Sequence, residues 1–173
     1  LTTAPTQCGL SDSCVPPLTD LAMAIPQCQS AAYKCQWAAN ATCETDAGCT
    51  AVAGAPDCSG AGPAACATAW LPAATQASQA ILLTFKDSVL VEALYLVSPS
   101  MSVAVSNLEV LMMGGIFNSV LFTQSIVNGT DRLVLRKVTL GSSLMGTVFR
   151  LTVMRTGSTA PQQIDAVLLV GQR

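Results

Sequence analysis

The stretch AILLTFKDSVLVEALYLV, residues 80–97, decides the fold. It contains most of two apolar runs, 79–85 and 89–97, and the charged pair Lys86-Asp87 between them. Both runs are short and rich in residues that favour strands, whereas a buried helix needs a longer run. The stretch therefore predicts two consecutive β-strands joined at Lys86-Asp87.

The same pattern of apolar runs continues up to the last residues of the sequence. Pairs of turn-forming residues, such as Gly114-Gly115 and Gly141-Ser142, separate five further apolar runs. The runs cover residues 101–113, 116–124, 131–140, 146–155 and 163–171. Seven or eight strands at this spacing predict a mainly β body, an antiparallel β-sandwich or barrel spanning residues 71–173.

The cysteines divide the chain into two parts. All eight precede residue 67, and they are Cys8, Cys14, Cys28, Cys35, Cys43, Cys49, Cys58 and Cys66. Zinc is the alternative to disulfides, but the chain has no histidine and no C-x2-C spacing. We therefore predict disulfides formed in an oxidising compartment, with their pairing left open.

The cysteine-rich region, residues 1–70, is predicted to be a small module held together by disulfides. Alanine-rich segments predict short helices at 30–40 and 44–54, with Ser30 as a cap for the first, and a turn or short helix at 62–70. Helices this short do not persist alone, so cross-links must replace a core. The fold expected for the whole chain is thus a β-sandwich preceded by a partly helical module.

Two sequons agree with secretion. The triplets NAT at Asn40 and NGT at Asn128 each satisfy the consensus for N-linked glycosylation. We expect an extracellular or cell-surface glycoprotein in which Leu1 follows a removed leader. The sequence has no run of 18 apolar residues, so it predicts no membrane span. A net charge of −2 gives no reason to expect nucleic acid as a ligand.

Charge is scarce for a chain of this length. Charged residues make up 10% of it and hydrophobic residues 51%, against about 25% charged in an ordinary soluble domain. Glu92 and Asn107 should mark the outward faces of their strands, yet apolar residues share those faces. The residues predicted to form an assembly face are Leu90, Leu94, Leu96, Met101, Val103, Val105, Leu111 and Met113. Either the cysteine-rich region or another subunit must cover such a surface.

The order of strands resembles that of galactose-binding-domain-like jelly rolls of the discoidin type. The similarity rests on residues 80–97, on VAVSNLEVL at 103–111 and on the closing strand QQIDAVLLVG at 162–171. The cysteine spacing is similar to that of helical repeats in algal and plant surface glycoproteins. The resemblance implies non-enzymatic binding or assembly, with carbohydrate or lipid held in loops at one end. Here the chain departs from the family, because its aromatic residues lie inside strand patterns.

Enzymatic function has little support in the sequence. Without histidine, the Ser-His-Asp, Cys-His and HExxH sites are excluded. Five acids of the β-region could pair for glycoside hydrolysis or, at Asp87 or Asp131, hold calcium, but we interpret them as turn and surface charges. They are Asp87, Glu92, Glu109, Asp131 and Asp165. No cofactor and no metal are predicted.

Two functional hypotheses follow. The first is a structural subunit of an extracellular filament, wall layer or appendage, which would form a homo-oligomer or polymer and carry covalent glycans. The alternative is a carbohydrate-binding or adhesion module whose partner is an extracellular polysaccharide, gripped by loops near 98–100 and 156–162.

Overall fold

A computed structural model of the chain describes residues 25–43, 47–56, 69–70, 78–98, 103–129, 134–155 and 163–173. Every pairing between its strands is antiparallel, so the predicted mainly β class is confirmed. In the described part of the cysteine-rich region there are two 3₁₀ helices, Pro26–Gln29 and Ala47–Val52. The strands are β1 (Tyr33–Trp37), β2 (Asn40–Cys43), β3 (Ser78–Ser98), β4 (Val103–Leu111), β5 (Phe117–Ser119), β6 (Phe122–Gly129), β7 (Val134–Arg155) and β8 (Ala166–Gln172).

Strands β3 and β7 each merge two of the predicted runs. They pair over most of their length, but the register shifts between Thr84 and Val89 and again between Val91 and Ala93. The first shift places extra residues on β3, and the second places them on β7. The turns predicted at Lys86-Asp87 and Gly141-Ser142 are therefore wrong, because both pairs lie in irregular segments of continuous strands.

The side chain of Gln36 on β1 explains why the chain does not turn at Asp87. Its amide nitrogen donates to the carbonyl oxygen of Asp87 at 2.6 Å, and its amide oxygen accepts from the Asp87 N–H at 3.0 Å. Lys34, also on β1, forms an ion pair with the Asp87 carboxylate. Because β1 satisfies these backbone groups, the irregular segment needs no turn of its own.

The long strands carry the sheet through two layers. In the first layer the order is β2, the first part of β3, the second part of β7, β4 and β5. In the second layer the order is β1, β8, the second part of β3, the first part of β7 and β6. Side chains from both layers belong to one hydrophobic cluster, so this core lies between them.

Large side chains from β3 and β7 meet in this inner core. Phe85 and Phe149 pack edge to face, with ring centroids 6.0 Å apart. Leu94 and Leu96 of β3 are fully buried in the same cluster, together with Leu169 of β8. Burying one such side chain stabilises the fold by about 1.5–3 kcal/mol.

A second hydrophobic cluster covers the opposite face of the second layer. Ala93, Tyr95 and Val97 of β3 lie in it beside Leu168 and Val170 of β8. The second part of β3 is thus apolar on both faces, as the sequence indicates. The cysteine-rich region supplies the cover, which includes Ile25, Cys28, Tyr33, Cys35 and Trp37.

The predicted assembly face needs correction at its centre. Leu94, Leu96 and Val105 are buried within the chain and pack in the inner core. A strict alternation through Glu92 and Asn107 placed these three side chains on outward faces, but register shifts between Val91 and Ala93 and between Val105 and Asn107 change which side chains face the core. These three side chains are therefore unavailable to another subunit.

The helix predicted at 30–40 is also wrong, because this segment forms β1 and β2. Both strands pair with strands of the body, β1 with β8 and β2 with β3, and pairing outweighs the helical preference of alanine. Within 44–54, a 3₁₀ helix occupies Ala47–Val52. Of 62–70, the structure describes only Ala69 and Trp70, and Trp70 bridges to Ile164.

Two disulfides hold the described part of the cysteine-rich region. Cys28 is bonded to Cys35, and Cys43 is bonded to Cys49. The first fastens the opening 3₁₀ helix to β1, and the second fastens β2 to the other 3₁₀ helix. The remaining cysteines, Cys8, Cys14, Cys58 and Cys66, lie outside the described residues. Strands β1 and β2, in the described part of this region, extend the sheet of the body.

Candidate binding site

A depression of about 300 Å³ lies at one end of the sandwich, between the β4–β5 hairpin and the irregular segment of β7. Exposed polar side chains at Asn118, Ser119 and Ser142 contribute to its wall. The remaining lining residues are apolar or glycine, namely Val110, Met112, Val120, Leu121, Gly141 and Leu144. Uncharged polar groups and apolar surface therefore meet in one concave site.

The hairpin beside the depression is shaped by two glycines. Gly114 and Gly115 have φ values of 95° and 80°, a region that side-chain-bearing residues rarely adopt. The N–H of Met112 donates to the carbonyl oxygen of Ile116 at 2.9 Å, and that of Gly115 donates to Met112 at 3.2 Å. This turn separates β4 from β5 and places Met113 at its tip.

Gly141 permits the backbone of β7 to lie close to the segment between β5 and β6. The Gly141 N–H donates to the carbonyl oxygen of Leu121 at 2.7 Å, and a Cβ on Gly141 would lie 3.1 Å from that oxygen. The Val120 N–H donates to Leu108 at 2.8 Å. These bonds fix the segment between β5 and β6 against both neighbouring strands.

Exposed apolar side chains lie in the lining of the depression, at Met112 and Leu121, and close to lining residues in the sequence. Met113 is 101% exposed and Leu121 is 86% exposed. We call this set the apolar rim, and it consists of Met112, Met113, Ile116, Leu121 and Met145. Clustered apolar exposure bordered by polar groups is typical of a binding surface.

Glu109, which pairs in the sheet with the lining residue Ser119, forms an ion pair with Arg150. Arg150 donates two hydrogen bonds of 2.7 Å to the carboxylate of Glu109. Its guanidinium also lies 4.4 Å from the ring centroid of Phe117. The hydrogen bonds from Arg150 lower the pKa of Glu109. Glu109 is therefore an ion-pair partner and poorly suited to be a general acid.

Two other acids of the β-region also have partners. The Glu92 carboxylate accepts hydrogen bonds from Tyr33 at 3.1 Å and from Gln172 at 2.8 Å. The hydrogen bond from Lys34 lowers the pKa of Asp87. Asp165 is buried, and Asp131 lies outside the described residues. Within the described ranges, no three Cys, Asp or Glu residues are grouped as a metal site would need.

The other predicted site residues fall in different places. Asn40 is exposed on β2, and Asn128 belongs to β6. Of the predicted assembly face, Leu90 and Leu111 are half-buried and Met113 is exposed, but they do not form one surface with the buried members. Met101, the side chain of Val103 and the loops proposed to grip a glycan, 99–100 and 156–162, lie outside the described residues.

The sequence did not single out the depression. Its prediction of one strand over 116–124 missed the break at Val120 and Leu121, which separates β5 from β6. The signal that was available is the Gly114-Gly115 pair between runs ending in Met112-Met113 and beginning with Ile116. Apolar residues beside a glycine turn predict an exposed tip only once the turn is known to face away from the core.

Comparison with known proteins gives a weak structural similarity and no match in sequence. No family model and no curated protein matches the sequence. Among solved structures, the chain is similar to CpGH89CBM32-6 produced by Clostridium perfringens, with 11% sequence identity and a TM-score of 0.49. The match covers 83% of this chain and 96% of that chain. At this level of similarity it carries no argument about a site. No helix among the described residues is long and apolar enough to cross a membrane.

Proposed function

We propose that this chain is a non-enzymatic, extracellular binding module that holds a neutral saccharide in the depression between the β4–β5 hairpin and β7. One observation carries the proposal, namely that the lining combines exposed amide and hydroxyl groups with apolar surface and includes no charged side chain. Sugars present the same combination, hydroxyl groups around an apolar ring face. The two disulfides support an oxidising, extracellular setting.

The polar lining residues are well placed for such a ligand. Asn118 and Ser119 project from a short strand whose partner, β4, is fixed in the body, and Ser142 lies across from them on β7. Because these elements are held by backbone hydrogen bonds, little conformational entropy is lost when a ligand binds. The apolar neighbours Met112 and Leu121 would contact the ring face.

The test is a glycan array followed by titration calorimetry on the secreted, disulfide-bonded chain. We expect Asn118→Ala and Ser142→Ala each to weaken binding of the selected saccharide by about 3- to 10-fold, the loss of one hydrogen bond. Asn107→Ala is the matched control, because Asn107 lies on β4 outside the lining and should leave affinity unchanged. If the array shows no saccharide binding, or if both variants bind as the wild type does, the proposal is wrong.

A second candidate function is a self-assembling structural subunit, and the apolar rim favours it. Met113, Ile116 and Leu121 are more exposed than large apolar side chains usually are in a monomer. For this candidate we expect multi-angle light scattering to show a polymer whose mass falls when Met113→Ser and Ile116→Ser are combined. A monomeric wild-type chain at high concentration would exclude assembly through the rim.

A further inference from the structure

The asparagines of both sequons lie on strands at the edges of the sandwich. Asn40 belongs to β2, which ends the first layer, and Asn128 belongs to β6, which ends the second layer. Among the described residues, β2 pairs only with β3, and β6 pairs only with β7. The two layers thus carry one potential glycan each, and the body has no other N-x-S/T triplet on a central strand.

The local geometry at β2 suits a glycan. Asn40 and Thr42 are both exposed, whereas Ala41 between them is fully buried. The strand therefore directs both polar members of the sequon away from the inner core. A sugar attached to Asn40 would project from the rim of the first layer without displacing a packed side chain.

Strand β6 is the edge at greatest risk of pairing with another chain. It is 8 residues long, and Ile126 and Val127 near its end are 40% and 47% exposed. A long edge strand with exposed apolar side chains offers backbone groups to a second chain and promotes association. Asn128 follows these residues directly, next to the register shift between Ile126 and Asn128.

The opposite edges are protected in other ways. Strand β5 has only 3 residues, which is too short for stable pairing with another chain. Strand β1 bears Lys34, and the disulfide from Cys35 ties it to the 3₁₀ helix at Pro26–Gln29. Short length and lysine are two common protections of natural edge strands. Of the two edges that carry sequons, β2 is also short, with 4 residues, and the disulfide from Cys43 ties it to the 3₁₀ helix at Ala47–Val52. Strand β6 is the sequon-bearing edge without such a device.

We propose that an N-linked glycan on Asn128 blocks strand pairing at the β6 edge, that a glycan on Asn40 adds to the protection of the shorter β2 edge, and that both so keep chains from associating. The disulfides place folding in an oxidising compartment, which agrees with a secretory route on which such glycans are attached. A hydrated glycan at each edge excludes a second strand by volume and needs no added charge, in a chain with only 10% charged residues.

The test compares the full chain secreted from a eukaryotic host with its Thr42→Ala/Thr130→Ala variant, which keeps both asparagines and removes both sequons. Mass spectrometry of glycopeptides should find glycans on Asn40 and Asn128. Light scattering over a concentration series should show the mass of the variant rising by about twofold or more relative to the glycosylated chain. Amide exchange in β6 should slow as the mass rises, because pairing protects its outer N–H groups.

Two controls separate edge blocking from general effects of glycosylation or misfolding. Wild-type glycoprotein trimmed enzymatically to one sugar per site has an unaltered sequence and should show an intermediate mass increase. The variant that adds Ser30→Asn/Ala32→Thr to the sequon-free chain carries its glycan on an exposed turn and should still associate. Each of three results would overturn the proposal. They are the absence of a glycan from either asparagine, a glycan-free chain that does not gain mass, and rescue by the turn glycan.

Discussion

Replacing Gly171 with alanine should destabilise the protein, although the same change in most strands has the opposite effect. Gly171 is a buried residue of β8, and it pairs with Val91 on one side and Lys34 on the other. A Cβ at this position would lie 2.5 Å from Val89 Cγ2 and 2.7 Å from the carbonyl oxygen of Leu90. The second atom belongs to the backbone of a central strand and cannot rotate away.

The magnitude is the difference between two effects. Alanine in a strand interior is normally favoured over glycine by about 0.5–1 kcal/mol, because the unfolded chain has less freedom to lose. Overpacking a buried site costs about 1–3 kcal/mol. Because one clashing atom is a backbone oxygen, we expect overpacking to win with a net loss of about 1–2.5 kcal/mol. The melting temperature should then fall by roughly 2–10 °C, since 1 kcal/mol corresponds to about 2–4 °C in a chain of this size.

The measurement is equilibrium denaturation in urea and thermal melting, both followed by circular dichroism on non-reduced protein. Gly146→Ala is the matched comparison, because its nearest atom is the side-chain Cγ2 of Val110 at 2.8 Å. That side chain can shift, so this variant should lose less stability than Gly171→Ala. A Gly171→Ala protein as stable as the wild type would refute the close approach of β8 to the irregular segment of β3.

Three further outcomes test other parts of the fold. Cys28→Ser/Cys35→Ser should lower the free energy of unfolding by about 2–3 kcal/mol, the value for a short disulfide loop, in urea denaturation without reductant. Arg150 lowers the pKa of Glu109 in the folded state, so the stability that this pair contributes is present at neutral pH. That stability is lost as the pH falls through the lowered pKa. Glu109→Gln should therefore make the melting temperature less dependent on pH below about 4. Gln124→Ala removes the two hydrogen bonds, of 3.0 and 3.1 Å, that its amide makes with the backbone of β4, and should cost about 1–2 kcal/mol in the same assay.

The bond between Gln124 and β4 shows a kind of contact that sequence patterns do not reveal. Gln124 lies on β6 in the second layer, while its side chain accepts from the N–H of Val105 and donates to its carbonyl oxygen in the first layer. The side chain thus imitates a strand and joins the two layers. A glutamine in an apolar run gives no sign of this role, because its partner is a backbone group 19 residues away.

The alternation of polar residues was also an uncertain guide to the faces of β3. Glu92 was taken as the mark of a solvated face, yet Leu94 and Leu96 on that side are fully buried. The register shift between Val91 and Ala93 changes which side chains face the core. Side chains alternate between the two faces of a strand only where its pairing is regular. The local sequence does not indicate this register shift.

Composition and short-range pattern alone determined that this chain forms strands in residues 78–172, that its cysteine-rich region is cross-linked, and that part of β3 needs cover on both faces. These properties follow from side-chain volume, branching and spacing, which act over a few residues. The tertiary structure decided that β3 and β7 run unbroken through both layers, that residues 33–43 become strands, and that the apolar rim lies beside a depression. Each of these depends on which distant backbone groups satisfy one another, and that choice belongs to the assembled sheet rather than to any segment of it.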